Sequence, residues 1–261
     1  MAAADMVHNI YRLLLDDKLA AAPLRSPEYA LDTEENPTCE VIGTDLTMIQ
    51  PFSWMPNCRF IRENSELEDW VSPHPFDYIH LRGMVACFND VTVVMQRAFN
   101  GLAPGGWIEF QDPGFDFYQL QQSDKAETPL ARWLTLVKKS AMTCGRDLTK
   151  ARLYKTQLEA AGFVDVCERV IKIPVGPWAK GERAKIIGVW MANAFHSGSV
   201  DAFKQFLAAG GELSGEQIEE LSAQVKSELR DVNLRWFTTM YLVYGRKPYP
   251  GEKINSEGEI E

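Results

Sequence analysis

The chain has 261 residues, 46% of them apolar, with 27 basic against 36 acidic side chains and a net charge of −9. That length is large for one domain and small for two, so one core with an appended helical region is the simplest organisation. No Lys/Arg block exceeds a dipeptide, which excludes nucleic acid as a partner, because backbone binding needs clustered cations.

No apolar run approaches the roughly 18 residues of a membrane span, and MAAADMVHNIYRLLLDD carries acids where a secretory signal carries basic residues, so no membrane association is expected. The five cysteines (Cys39, Cys58, Cys87, Cys144, Cys167) form no CxxC pair. They read as free thiols in a reducing compartment, cytoplasmic or nuclear.

From Asp5 to Ala22 the apolar residues Met6, Ile10, Leu13, Leu14 and Ala21 recur at helical spacing, and Pro23 and Pro27 follow. Tyr29 to Leu31 is a weak strand signal, Glu40 to Leu46 a stronger one, and Cys58 to Ile61 a third. Phe76 to Leu81, between Pro75 and Gly83, has the apolar run of a buried parallel strand. A helix from Val91 to Leu102 stops at Pro104-Gly105-Gly106, and Trp107 to Phe110 enters the next strand, completing one βαβ unit.

Helices are expected over Thr128–Cys144 and Lys150–Ala161, and alternation marks a strand over Phe163–Val175. A helical cap region covers about 181–231, where Ser214 and Gln217 have capping-box spacing. A last strand centres on Met240 to Tyr244. The reading is a single domain over 1–247 and a flexible acidic tail over 248–261. There is no GxSxG, no Walker loop and no metal triad, so no metal cofactor is expected.

The runs HNIYRLLLDDKLAAAPL, CEVIGTDLTMIQP, FDYIHLRGMVACFND, LAPGGWIEFQD, PVGPW and YLVYGRKP together resemble, in family order, the fungal LaeA-like group of class I S-adenosylmethionine-dependent methyltransferases. The resemblance implies an α/β, Rossmann-like, mostly parallel twisted sheet with helices on both faces and a helical insertion before the last strand. It also implies transfer of a methyl group from S-adenosylmethionine to a small apolar metabolite of fungal secondary metabolism.

One departure is large. The family closes its first strand on an LD-like dipeptide and continues into a GTGTG-type loop and a helix, whereas here Ala30-Leu31-Asp32 runs directly into TEENPTCEVIGTDL. A glycine loop lets backbone approach a cofactor closely and aims a helix N-terminus at it, so its absence puts cofactor binding in question. The seven residues Thr33 to Cys39 are also too few for a helical crossover between adjacent parallel strands. The expectation is a truncated first strand–helix unit, the strand lost or displaced. Helix Asp5–Ala22, or a second subunit in a homodimer, would then cover the exposed apolar face.

By resemblance Asp45 accepts hydrogen bonds from the cofactor ribose, with Leu46 beside it, and Glu63-Asn64 stands where the family has an acidic pair near the adenine. Read without the resemblance, Asp45 is a turn aspartate and Glu63-Asn64 a solvated loop. His80 and Arg82 end the fourth strand, at the sheet edge where open α/β folds bind ligands. His80 alone reads as a core histidine, and Arg82 calls for an anionic partner such as Asp112. Glu109 and Gln111 share one face and Asp112 the other, with Asp112 nearest the edge. The catalytic candidates are therefore His80, Arg82 and Asp112.

Trp107, Phe110, Phe115, Phe117 and Tyr118 read either as core or as a substrate cavity, with Trp178, Trp190, Phe195 and His196 as a lid. Besides methyl transfer, two functions stay open. One is a repurposed cofactor-independent enzyme, cyclase or pericyclase in type; the other is a non-catalytic regulatory partner.

Overall fold

The structure, a computed structural model, describes residues 3–24, 29–30, 39–47, 56–68, 70, 72–120 and 128–252. In chain order the elements are α1 (Ala3–Leu14), β1 (Tyr29–Ala30), β2 (Glu40–Asp45), β3 (Cys58–Arg62), β4 (Phe76–Arg82), α2 (Val91–Gly101) and β5 (Leu102–Gln119). They continue with α3 (Pro129–Thr143), α4 (Tyr154–Ala160), β6 (Val164–Pro174), α5 (Glu182–Ala194), α6 (Lys204–Gly210), α7 (Gly215–Glu228) and β7 (Trp236–Arg246). Two ladders run β1-β2-β3 and β4-β5-β7-β6, with β1 lying beside β4. All pairs are parallel except those that β7 makes with β5 and β6.

Local chemistry accounts for the element ends. The Asp90 side chain caps α2 by accepting the Thr92 N–H at 2.9 Å, and Val91, Val94, Met95 and Ala98 bury its inner face. Ser214 and Gln217 form the expected capping box on α7. Helix α1 stops at Leu14, not Ala22, because Asp16 and Asp17 take left-handed backbone angles (φ 56° and 65°) that turn the chain out of the helix. Strand β5 is longer than Trp107–Phe110 suggested, since β7 pairs along it from Trp107↔Arg246 to Gln119↔Trp236.

The first strand is short but in place. Tyr29 pairs with Glu40 and Ala30 with Val41, in parallel, which corrects the expectation that this strand is lost or displaced. An extended chain covers about 30 Å in the nine residues between Ala30 and Glu40, and returning along a two-residue strand takes only about 7 Å. Most of the expected gap, residues 31–38, lies outside the described residues.

The cover over this part of the sheet is also not the helix. Helix α1 packs against α5, where Arg183 donates to Asp16 at 2.5 Å. It is the irregular stretch behind α1 that lies on the strands: Ala22 is buried with Cys39, Val41 and Tyr78, and Ala20 and Leu24 pack around them. At the other end, the segment expected to be flexible from Pro248 is tied down as far as Glu252, whose carboxylate takes a bidentate grip from Arg246 at 2.6 and 3.0 Å. Residues 253–261 lie outside the described residues.

Candidate functional site

A cleft of about 200 Å³ opens between β2 and β3 on one side and β4 on the other. Ile42, Ile61, Phe76, Ile79, Leu81 and Phe88 make it mainly apolar, and Thr44, Glu63, Ser65, His80 and Arg82 add polar groups. Consecutive strand residues face opposite sides of a sheet. That Ile79, His80, Leu81 and Arg82 all border one cleft therefore places it at an open strand edge. The edge exists because β1 pairs only at Glu40 and Val41, so β2 beyond them has no ladder partner on that side among the described residues.

Tyr78, His80 and Arg82 share the face of β4 that meets Glu109 and Gln111 across the ladder, through the pairs His80↔Glu109 and Arg82↔Gln111. Gln111 Oε1 accepts from Arg82 Nε at 2.9 Å, and its amide nitrogen donates to Leu19 O at 2.9 Å and Glu109 Oε1 at 2.6 Å. Both amide hydrogens are spent, so Gln111 meets the His80 ring only as an acceptor. Among the described residues the buried Nε2 of His80 has no hydrogen-bond partner, which leaves Nδ1 as the nitrogen that meets Gln111. Burial, helped by the charge of Arg82, holds the ring neutral with its pKa down at about 3.

Among the described residues Arg82 has no carboxylate partner, contrary to the expected pairing with Asp112. Besides Gln111 it reaches Leu19 O and His8 Nδ1, each at 3.2 Å, and its guanidinium lies 4.9 Å from the centre of the Tyr11 ring. Asp112 sits on the opposite face, fully buried, accepting from Tyr154 Oη at 2.7 Å and Val85 N at 3.2 Å. It fixes the loop after β4, outside the cleft lining; burial pushes its carboxyl up to about 6. The sequence passed over Glu109, whose carboxylate accepts from the backbone of Ala21 and Ala22 and from Tyr78 Oη. The signal available was its shared face with Gln111.

Asp45, partly exposed at the end of β2, accepts from Thr47 N at 2.9 Å and thus has its turn role, and Leu46 next to it is 58% exposed. Glu63 lines the cleft and burial raises its pKa. Asn64 is engaged in a turn, with Oδ1 accepting from Glu66 and Leu67. The aromatic residues divide between cores: Phe110 packs tilted against Tyr154, Phe115 stacks on Trp133, and Phe117 packs tilted against Phe195. Trp178 donates to Val175 O and Trp236 O, and His196 faces Arg230, so neither borders the cleft. Among the described residues no group of three or more His, Cys, Asp or Glu could hold a metal ion, and no helix is long and apolar enough to cross a membrane.

Comparison with known proteins places these features in a family. A family model described as a methyltransferase domain matches residues 7–168. The methyltransferase pytC of Aspergillus terreus is 30% identical over 263 residues, which cover 94% of this chain and 80% of that protein. The secondary metabolism regulator laeA of Aspergillus fumigatus is 26% identical over 231 residues, 84% of this chain and 60% of its own length. Among solved structures, phosphoethanolamine N-methyltransferase 2 of Haemonchus contortus, in complex with S-adenosyl-L-methionine, aligns with a TM-score of 0.53 at 15% identity. That alignment covers 92% of this chain and 52% of the other, about half its length, and shows a shared fold.

Proposed function

The chain belongs to the methyltransferase-domain family, and from that premise we propose that it transfers a methyl group from S-adenosylmethionine to a small apolar metabolite of fungal secondary metabolism. The observation that supports this reading is a cleft lined by Thr44, next to Asp45 at the end of β2, and by His80 and Arg82 at the end of β4.

The residues present suit the cofactor. Asp45 would hold the ribose hydroxyls, the exposed Leu46 would meet the adenine with Glu63 near by, and Arg82, whose partners among the described residues are neutral, offers a cation to the cofactor carboxylate. When bound, S-adenosylmethionine supplies an electrophilic methyl group. The charge of Arg82 favours an anionic form of the group to be methylated, and the apolar walls exclude water.

Titration calorimetry with S-adenosylmethionine and S-adenosylhomocysteine tests the reading. Micromolar binding is expected, and the absence of both heat and thermal stabilisation at millimolar ligand would sink it, since linkage predicts a clear shift far above Kd. A second reading, cofactor-independent cyclisation of an apolar metabolite in the cleft, draws support from the two-residue first strand. Product formed without added cofactor would separate the two.

A further inference from the structure

We propose that strand β6, the sheet edge farthest from the shortened first strand, pairs antiparallel with β6 of a second copy of this chain, centred on Val170. On one side β6 is bonded to β7, and among the described residues no strand lies on the other. Its middle is open: Glu168, Arg169, Val170 and Lys172 are exposed, Val170 by 48%. An exposed edge is a template for a further strand unless its side chains forbid it.

The ladder with β7 fixes which residues have backbone groups to offer. Val175 N–H donates to Trp236 O at 2.8 Å, and the same register runs on through Ile173↔Thr238, Ile171↔Met240 and Arg169↔Leu242. Hydrogen-bonded and non-bonded positions alternate in an antiparallel pair, so these residues face β7, and Glu168, Val170 and Lys172 turn N–H and C=O outward. Pro174 agrees with this, since a residue without an N–H fits the ladder where that position faces away from β7.

Two copies related by a two-fold axis then bond outward residues to outward residues. An axis centred on Glu168 or Arg169 sets that charge against its own copy. Centred on Val170, it places Val170 opposite Val170 of the partner subunit and Glu168 opposite Lys172 of the partner subunit, twice by symmetry. Among the described residues neither charge forms an ion pair within the chain, and Lys172 lies 5.4 Å from the centre of the Phe237 ring. The face that carries Val170 continues through Tyr241 and Phe237 on β7 to the exposed Tyr118, so the pairing joins two apolar faces into one. The flat run is short, bounded by the register shift between Val164 and Cys167 and by Pro174, so a weak dimer is expected, with Kd on the order of 10–100 µM.

Sedimentation velocity of the full chain tests the pairing. From about 5 to about 500 µM the sedimentation coefficient should rise from the monomer's towards the dimer's by mass action. Val170→Pro removes the central outward N–H but no bond to β7, so it should remain folded and monomeric over the same range. Glu168→Lys and Lys172→Glu each set like charges opposite and should weaken association about tenfold. An equimolar mixture of those two variants restores both opposite-charge pairs and should associate as the wild type does.

A wild type monomeric throughout, dimerisation undiminished in Val170→Pro, or a mixture that associates no better than either charge variant alone would each overturn the proposal. The charge variants change exposed side chains, so they keep the test decisive where Val170→Pro does not fold.

Discussion

The Glu109 carboxylate, fully buried on β5, accepts the backbone N–H of Ala22 at 2.8 Å, and with it fastens the stretch behind α1 onto the sheet. Ala21 N at 2.9 Å, Tyr78 Oη at 3.1 Å and Gln111 Nε2 at 2.6 Å complete its shell. Hydrogen bonds to a buried charge contribute about 1.5–3 kcal/mol each, and an uncharged isostere weakens several at once. Glu109→Gln is expected to lose about 2–4 kcal/mol in urea unfolding and to speed amide exchange at Ala21 and Ala22. A change below about 0.5 kcal/mol would show that the staple is unimportant.

The reach of the sequence is uneven for physical reasons. Apolar runs and periodicity found β2, β4, α2 and β6 to within a residue or so: β2 and β4 have consecutive buried residues, and α2 buries Val91, Val94, Met95 and Ala98 along one face. Periodicity could not end α1 at Leu14, since the break comes from the backbone angles of Asp16 and Asp17 and not from any Pro or Gly. The residue types at the strand ends were legible, but their partners were not: Glu109 binds backbone 87 positions away, and any residue can supply a backbone N–H. The cleft was least visible, because it arises from two strands losing a neighbour.

Asp112 and His80 oppose each other in pH. With its folded pKa raised from 3.8 to about 6, Asp112 binds its proton more strongly in the native state, so its contribution is full below pH 4 and is lost as pH rises through 6. His80, lowered from 6.5 to about 3, does the reverse: its neutral native form costs stability as pH falls from 6.5 towards 3. The two effects offset between pH 4 and 6. Asp112→Asn should therefore be less stable at pH 4 than at pH 7 relative to wild type, and His80→Gln more stable, by up to about 3 kcal/mol in unfolding free energy from urea titrations. A pH-independent difference from wild type in both variants would contradict this.

Arg246 holds the end of β7 to two carboxylates, Asp165 at 2.6 Å and Glu252 at 2.6 Å. The guanidinium pulls the Glu252 carboxyl down to about 2, so the clamp is complete at neutral pH and opens only as pH falls towards 2. Carbon-13 NMR should show Glu252 titrating well below the ordinary glutamate range, and Arg246→Gln should return it towards 4.5. Protection of the Tyr249 amide, which donates to Glu252 at 2.7 Å, should vanish in the same variant.

Asp45 has a turn to hold whether or not it holds a cofactor, and two substitutions separate the roles. Its Oδ1 accepts from Thr47 N at 2.9 Å and Thr47 Oγ1 at 3.3 Å. Asparagine keeps that acceptor but loses the charge, whereas alanine loses both. Asp45→Asn should leave stability within about 0.5 kcal/mol of wild type, and Asp45→Ala should cost about 1 kcal/mol. Ribose hydroxyls bound to a carboxylate make charge-assisted hydrogen bonds, so both variants should weaken S-adenosylhomocysteine binding about tenfold or more. If calorimetry finds the nucleoside bound by both variants as well as by wild type, Asp45 serves the turn alone, and the ribose must be held elsewhere.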